Sequence, residues 1–308
     1  TAHLYRQPTQ YFTRVLLVHE AAHQFHFLAR TRNKQPAAGW YTEGVAEHLS
    51  WHEWDGTRLK LGVLPGVSLK DYPASALKEM ERKDFDLAAV VSGARHASRP
   101  VSWALFRYLA TGRDGAPLPG FKTFRRKMDA GGQPWPVFKQ RFGRPGRLQP
   151  RLLAWLRDHQ TPWAQVFNEW EQIGSEAFRG RAGVVSAARL KRPYTSLRAT
   201  VDLPARKRRW RAGLLLHWSS NGDYTVALVS ARGTVQVDRR LGGRWRTLHR
   251  SRHPAPGATS RTFEATRQGG RVALRLDGRD VGAWSLPGGS LGLALDNGDL
   301  RFRAVRWR

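Results

Sequence analysis

The chain of 308 residues contains no cysteine. Disulfide bridges and thiolate metal sites are therefore excluded, and a metal could be held only by His, Asp or Glu. Long apolar runs are also missing. None approaches the ~20 residues needed to cross a bilayer, so no membrane span is expected. No signal segment is visible, and the chain opens on Thr1 rather than Met. We therefore expect a piece of a longer product, exported to the periplasm or the outside, whose targeting segment is not in this chain. The lack of cysteine does not by itself fix the compartment.

Acidic residues are scarce. Asp and Glu number 24 against 52 Lys and Arg, giving a formal charge of +28. Such a balance can mark a polyanion partner. Here Arg greatly outnumbers Lys and the cations run along the whole chain, the pattern that GC-rich coding produces. The charge is therefore read as composition, which argues against a nucleic-acid partner. The densest cluster, Arg206-Lys207-Arg208-Arg209 with Arg211, reads as a solvated loop beside Pro204.

What is present fits a globular protein: 41% hydrophobic and 25% charged residues. The length suffices for two domains. Up to about residue 180, apolar residues recur at helical spacing. Val15, Leu16, His19, His23 and Phe27 share one stripe of a helix that starts near Thr9 and ends before Arg32. Further helices are expected over Trp40–Trp51, Pro100–Ala110, Phe121–Met128, Pro134–Phe142, Pro150–His159 and Trp163–Glu171. Arg179 to Arg192 reads as a linker. From about Val185 the pattern switches to period two, with turn signals such as Asn221-Gly222-Asp223, Gly242-Gly243 and Asp277-Gly278 between short strands. The expected fold is multidomain, α plus all-β: residues 1–180 helical, residues 190–308 an antiparallel β-sandwich.

The first domain carries the chemistry. His19-Glu20-Ala21-Ala22-His23 is an H-E-x-x-H run. On a helix, positions i and i+4 lie one turn apart on one face, so both imidazoles can reach one ion. Glu20 sits beside the ion without ligating it and can exchange a proton with the attacking water. A catalytic zinc site needs a third protein ligand. Glu43, in Gly39-Trp40-Tyr41-Thr42-Glu43-Gly44-Val45-Ala46-Glu47, follows His23 by twenty positions, and Glu47 follows Glu43 by four.

This spacing resembles the gluzincins, the thermolysin-like zinc metallopeptidases, and the W-x-x-E-G-x-A-E wording resembles a bacterial peptidase-like subgroup of them. The resemblance implies a helical zincin-type catalytic domain with Zn2+ held by His19, His23 and Glu43. It implies Glu20 as general base and Glu47 as the hydrogen-bond acceptor of His19. It also implies that Ser102-Trp103-Ala104-Leu105 lies on a helix packed behind the site. A peptide or protein substrate is then expected. The metzincin pattern is excluded, because Ala29 stands where its third histidine belongs. Two features depart from the family. Only 18 residues precede His19, where a small sheet is usual, and Arg99 occupies the position of a customary oxyanion-stabilising tyrosine. Arg99 or His96 could take that role, or it could stand vacant. His26 and His48 read as structural, and His52 as exposed.

Residues 197–308 resemble, more weakly, the concanavalin A-like jelly rolls. The likeness rests on Gly213-Leu214-Leu215-Leu216, Val272 to Gly278, and Gly292-Leu293-Ala294-Leu295 with Arg301 to Val305. It implies a glycan partner for this domain. Trp210, Trp218, Trp245, Trp284 and Trp307 could stack on sugar rings, although filling a sandwich core is the commoner use of alternating aromatics. No carboxylate pair suggests a glycosidase. The function expected is a zinc-dependent peptidase. The alternative is a catalytically silent gluzincin scaffold with a glycan- or polyanion-binding sandwich.

Overall fold

The computed structural model describes residues 11–31, 38–54, 57–64, 71–112, 114–166, 169–174, 176–182, 185–204 and 209–308. The basic run at 206–208 lies outside them. The helical part contains α1 (Tyr11–Phe25), prolonged by a π-helical turn at His26–Arg30, and α2 (Gly39–Ser50). A small antiparallel hairpin follows, β1 (His52–Trp54) and β2 (Leu59–Leu61). Then come α3 (Tyr72–Met80), α4 (Leu87–Ser92), α5 (Arg99–Thr111), α6 (Phe121–Asp129), α7 (Pro134–Phe142) and α8 (Pro145–Asp158).

The helix starts follow local chemistry. Asp71, Asp86 and Ser98 accept hydrogen bonds from first-turn amides of α3, α4 and α5. Proline occupies the first turn of α3, α5, α7 and α8, where its missing N–H costs nothing. Gly112 ends α5 at φ 55. Helix α5 is the axis of this part, with Val101, Trp103, Ala104, Leu105 and Leu109 fully buried. Helix α2 packs directly on it. A Cβ on Gly44 would lie 2.6 Å from Phe106 Cβ and 2.7 Å from the Ser102 carbonyl oxygen, so only glycine lets the two backbones approach.

The rest is a sandwich of two seven-stranded antiparallel sheets. Its strands are β3 (Trp163–Val166), β4 (Glu169–Gly174), β5 (Ala177–Ala182), β6 (Ser186–Leu190), β7 (Ser196–Asp202), β8 (Arg211–Ser220), β9 (Asp223–Ser230) and β10 (Thr234–Leu241). They continue with β11 (Arg244–Arg252), β12 (Ser260–Gln268), β13 (Arg271–Leu276), β14 (Arg279–Ser285), β15 (Gly292–Asp296) and β16 (Gly298–Trp307). One sheet runs β11-β10-β9-β8-β15-β6-β3, the other β14-β13-β12-β7-β16-β5-β4. Trp163, Trp170, Phe178, Phe263 and Phe302 fill the space between them.

Three sequence expectations are corrected. Trp163–Glu171 is not a helix but strands β3 and β4. A short apolar run has no decisive period, and here Trp163 and Trp170 both point into the sandwich core. Arg179–Arg192 is not a linker. In β5, Phe178, Gly180 and Ala182 are buried while Arg179 and Arg181 face solvent, so its basic look is the outer face of a strand. The boundary expected at 180–190 therefore moves to the segment between Asp158 and Trp163. Finally His52 is fully buried at the start of β1.

Candidate metal centre

Helices α1 and α2 meet where their sequences place the metal-type ligands. His19 and His23 share one face of α1, and their Nε2 atoms lie 3.1 Å apart. Glu43, on α2, brings Oε1 within 3.4 Å of His23 Nε2 and Oε2 within 3.7 Å of His19 Nε2. These three residues are the one cluster of His, Asp or Glu able to hold an ion among the described residues, with donor atoms all within 4.8 Å of one another. Four donors at zinc bond lengths around a tetrahedron stand roughly 3.3 Å apart, so the observed spacings suit that ion with small adjustment.

The chemistry of the donors fits as well. Glu43 Oε2 is buried and accepts no hydrogen bond. Two imidazole nitrogens and a carboxylate facing one another need a proton or a cation between them. Glu47 settles which nitrogen of His19 looks inward. Its Oε1 lies 3.5 Å from His19 Nδ1, while His19 Nε2 faces Glu43, so a carboxylate stands on the far side of the ring from the cluster. His19 and Glu47 are both buried, whereas His23 and Glu43 are partly open, so the cluster is reached from one side.

Two groups beside this centre were not both foreseen. Tyr72, the first residue of α3, hydrogen-bonds Glu47, and burial together with the Glu47 charge pushes its hydroxyl well above the ordinary tyrosine range. Tyr72 therefore stays a donor at all working pH. The sequence signal for it was faint: Asp71 and Pro73 mark a helix start, but nothing local says that the first residue of α3 reaches Glu47. Arg99, from the first turn of α5, places Nε 3.5 Å from Glu43 Oε2 and 3.6 Å from Glu47 Oε1. His96 is exposed and forms no hydrogen bond or ion pair with the cluster among the described residues, so of the two expected candidates Arg99 is the one whose side chain reaches the ligands. Glu20 follows His19 on α1, is exposed and forms no hydrogen bond or ion pair among the described residues. Trp103 lies behind α2 in the core, as expected of the α5 segment.

The remaining histidines have other partners. His26 Nε2 donates to Asp129 Oδ1 at 2.9 Å, and Tyr41 Oη donates to the same oxygen at 2.7 Å. Burial tends to raise the Asp129 carboxyl, but these two hydrogen bonds outweigh it and hold it below the usual range. His48 packs against Phe106 with Arg107 beside it; burial, aided by that charge, pushes its imidazole down to about 4. In the sandwich, Trp210 is buried, Trp284 and Trp307 pack against the core, and Trp218 stacks near Tyr224. Only Trp245 of the five is strongly exposed, at 48%.

No protein-family model matches the chain, and no curated protein matches it. Among solved structures it is similar to a carbohydrate-binding module, CBM66, from Bacillus subtilis, at 18% identity over 47% of this chain and 93% of that one, with a TM-score of 0.40. It is also similar to the GH43 protein BlXynB from Bacillus licheniformis, at 15% identity over 41% of this chain and 32% of that one, TM-score 0.33. Sheep galectin-11 is a third, at 12% identity over 40% of this chain and 96% of that one, TM-score 0.32. Likenesses this slight carry no argument about activity, and the sandwich assignment stands on its own strands and pairing. Among the described residues no helix is long and apolar enough to cross a membrane.

Proposed function

We propose that the chain is a zinc-dependent peptidase of the gluzincin kind, with a helical zincin-type domain and a jelly-roll sandwich. The observation that carries this reading is the convergence of His19, His23 and Glu43 within 4.8 Å, with Glu47 set behind His19. His19 and His23 would hold zinc as neutral imidazoles and Glu43 as a carboxylate. Bound zinc supplies Lewis acidity, polarising a carbonyl and making water a nucleophile near neutral pH. The chain's own side chains supply the rest. Glu20 accepts the proton of the attacking water and passes it to the leaving amine. Its exposure gives it the access to water that this requires. Glu47 fixes the orientation of His19, and Tyr72 fixes Glu47. Arg99, half exposed and adjacent to Glu43, offers a fixed positive charge to the oxygen that becomes negative as the carbonyl is attacked.

Elemental analysis of purified protein should find one zinc per chain. Glu20→Gln should keep that zinc and lower peptide hydrolysis by the ~10²–10⁴-fold of a lost general base. Glu47→Ala should weaken zinc by ~10–100-fold and Glu43→Ala by more, since a ligand is lost rather than its support. Protein that takes up no zinc, or Glu20→Gln that hydrolyses as fast as wild type, overturns the reading.

A second reading, a silent scaffold whose sandwich binds glycan, has Trp245 in its favour. This ring is exposed on β11, meets Tyr224 edge-on at 5.4 Å and has Arg240 over it. Wild-type protein that holds zinc, cleaves no peptide and binds a glycan array through Trp245 would favour that reading instead.

A further inference from the structure

A pocket of about 680 Å³ opens between the π-helical turn that ends α1 and the outer face of α6. Four of its nine lining residues are cations, Arg30, Lys122, Arg125 and Arg126, against 52 of 308 in the whole chain. The local density therefore exceeds the basic background. Among the described residues none of these four side chains makes a hydrogen bond or a contact ion pair. The one acid in the wall, Asp129, is already engaged by His26 and Tyr41. Helix α6 also begins at this pocket with no side-chain cap on its first-turn amides, which places the positive end of its dipole beside Lys122 and Thr123.

The pocket is linked to the helices of the metal centre through Asp129. Tyr41 stands two residues before Glu43 on α2, and His26 stands three after His23 on α1. Both bond Asp129, so α6 is tied to the two helices that carry the ligands. We propose that this pocket is a subsite for acidic side chains of the peptide cleaved at the metal centre; the proposal rests on the peptidase reading above. Unpaired guanidiniums at close quarters repel one another and are matched by carboxylates in bidentate contact. A half-open pocket of this volume suits a few side chains of a bound peptide. A nucleic acid would need an extended basic track for its backbone.

Binding can be measured apart from cleavage in the full chain carrying Glu20→Gln, with zinc and after chelation. The probes are a fluorescein-labelled peptide with four consecutive glutamates and its glutamine counterpart. At ~150 mM salt the glutamate peptide should bind roughly tenfold more tightly. Arg125→Glu with Arg126→Glu should abolish that preference, and the milder Arg125→Gln with Arg126→Gln should reduce it. Arg246→Glu with Arg250→Glu, the same charge change on exposed positions of β11, should leave it within about twofold. Equal loss in the β11 pair, or no preference in the parent, overturns the subsite. So does a single-stranded oligonucleotide of matched charge that binds more tightly through the same arginines. If wild type cleaves no peptide while the preference depends on Arg125 and Arg126, the peptidase reading fails and an acidic-peptide site remains. If wild type cleaves glutamate and glutamine peptides with equal KM, only the subsite fails.

Discussion

In the sandwich, Phe263, Phe302 and Trp170 are closed between two sheets, and every interior strand has a partner on both sides. Helix α1 is held quite differently. It exposes Leu17 at 67% and Phe25 at 61%, while Leu28 in the turn beyond is 60% exposed. Between Thr13 and Arg30 only His19, Ala22 and His26 are buried, and none of the three belongs to the helical core, which begins at Ala38. What attaches α1 is polar: His19 and His23 against Glu43 and Glu47, Arg14 against Glu171 of β4 and His52 of β1, and His26 against Asp129. The sandwich is stabilised by area removed from water, and α1 largely by the groups assigned to the metal. The part of the molecule that does the proposed chemistry is thus the part with the least apolar support.

Metal removal is the strongest way to test that contrast. A ligand present at a hundred times its dissociation constant adds about 2.7 kcal/mol to the state that binds it. Chelation should therefore speed amide hydrogen exchange across residues 11–30 by roughly a hundredfold, with β7, β12 and β16 unchanged. Equal protection in both forms would show that α1 docks without the ion. The next largest effect concerns the sandwich. Phe302→Ala should cost about 3–5 kcal/mol in denaturant unfolding, as a large buried side chain does, whereas Leu17→Ala on α1 should stay within about 0.5 kcal/mol. A comparable cost at both positions would mean that α1 is covered in solution. Truncation draws the same line by sequence. Residues 163–308 should melt cooperatively, while 190–308, which strips β5 from β16 and β6 from β15, should not.

Legibility followed the range of the interactions. His19 and His23 were readable because one turn of helix fixes their relation, and Pro134 and Gly112 marked helix ends for equally local reasons. Strands β7 to β13 were readable from alternation and their glycine turns. Strands β3 to β6 were not, because alternating arginines in β5 mimic a polar linker and the tryptophans of β3 and β4 carry no period over so few residues. Helices α3 and α4 escaped because they are short and their apolar stripe is thin. At the candidate site the ligands came from spacing, but Tyr72 and Asp129 reach it only through the packing of α3 and α6, which no local pattern encodes. His52 looked exposed because nothing nearby showed that β1 would be covered.

The helical half should also respond to acid through His48 of α2. Its imidazole titrates near 4 in the fold because burial and Arg107 disfavour the charged form, against about 6.5 in an unfolded chain. Between these values the unfolded state binds the extra proton. The stabilisation from keeping His48 neutral is therefore complete above pH 6.5 and is lost as pH falls toward 4, by at most roughly 3 kcal/mol. The difference in unfolding free energy between wild type and His48→Gln should shrink on acidification across this window. A constant difference from pH 7 to 4 would place the acid response elsewhere.

The smallest effect is expected where the two halves touch through exposed charge. Lys191, just past β6, pairs with Asp71 and also donates to Thr161 Oγ1 at 2.8 Å. The lysine and the aspartate are 22% and 29% exposed, so water and salt screen the pair, and ordering a lysine side chain offsets part of the attraction. Asp71 has a second task, accepting the Ala74 amide at the start of α3 at 3.2 Å. Substituting it would confound the pair with the helix cap. Lys191→Met isolates the contact, because it keeps most of the apolar stem and leaves Asp71 to cap α3. Its cost should be below about 1 kcal/mol and should fade at 1 M salt. Zinc affinity should not change, since Tyr72 is held through Glu47 and the α3 core rather than through Lys191. A loss of several kcal/mol, or weakened zinc in Lys191→Met, would mean that the sandwich braces α3 and, through Tyr72, the metal centre itself. The contrast between an apolar sandwich and a polar, metal-held α1 would then give way to a single coupled unit.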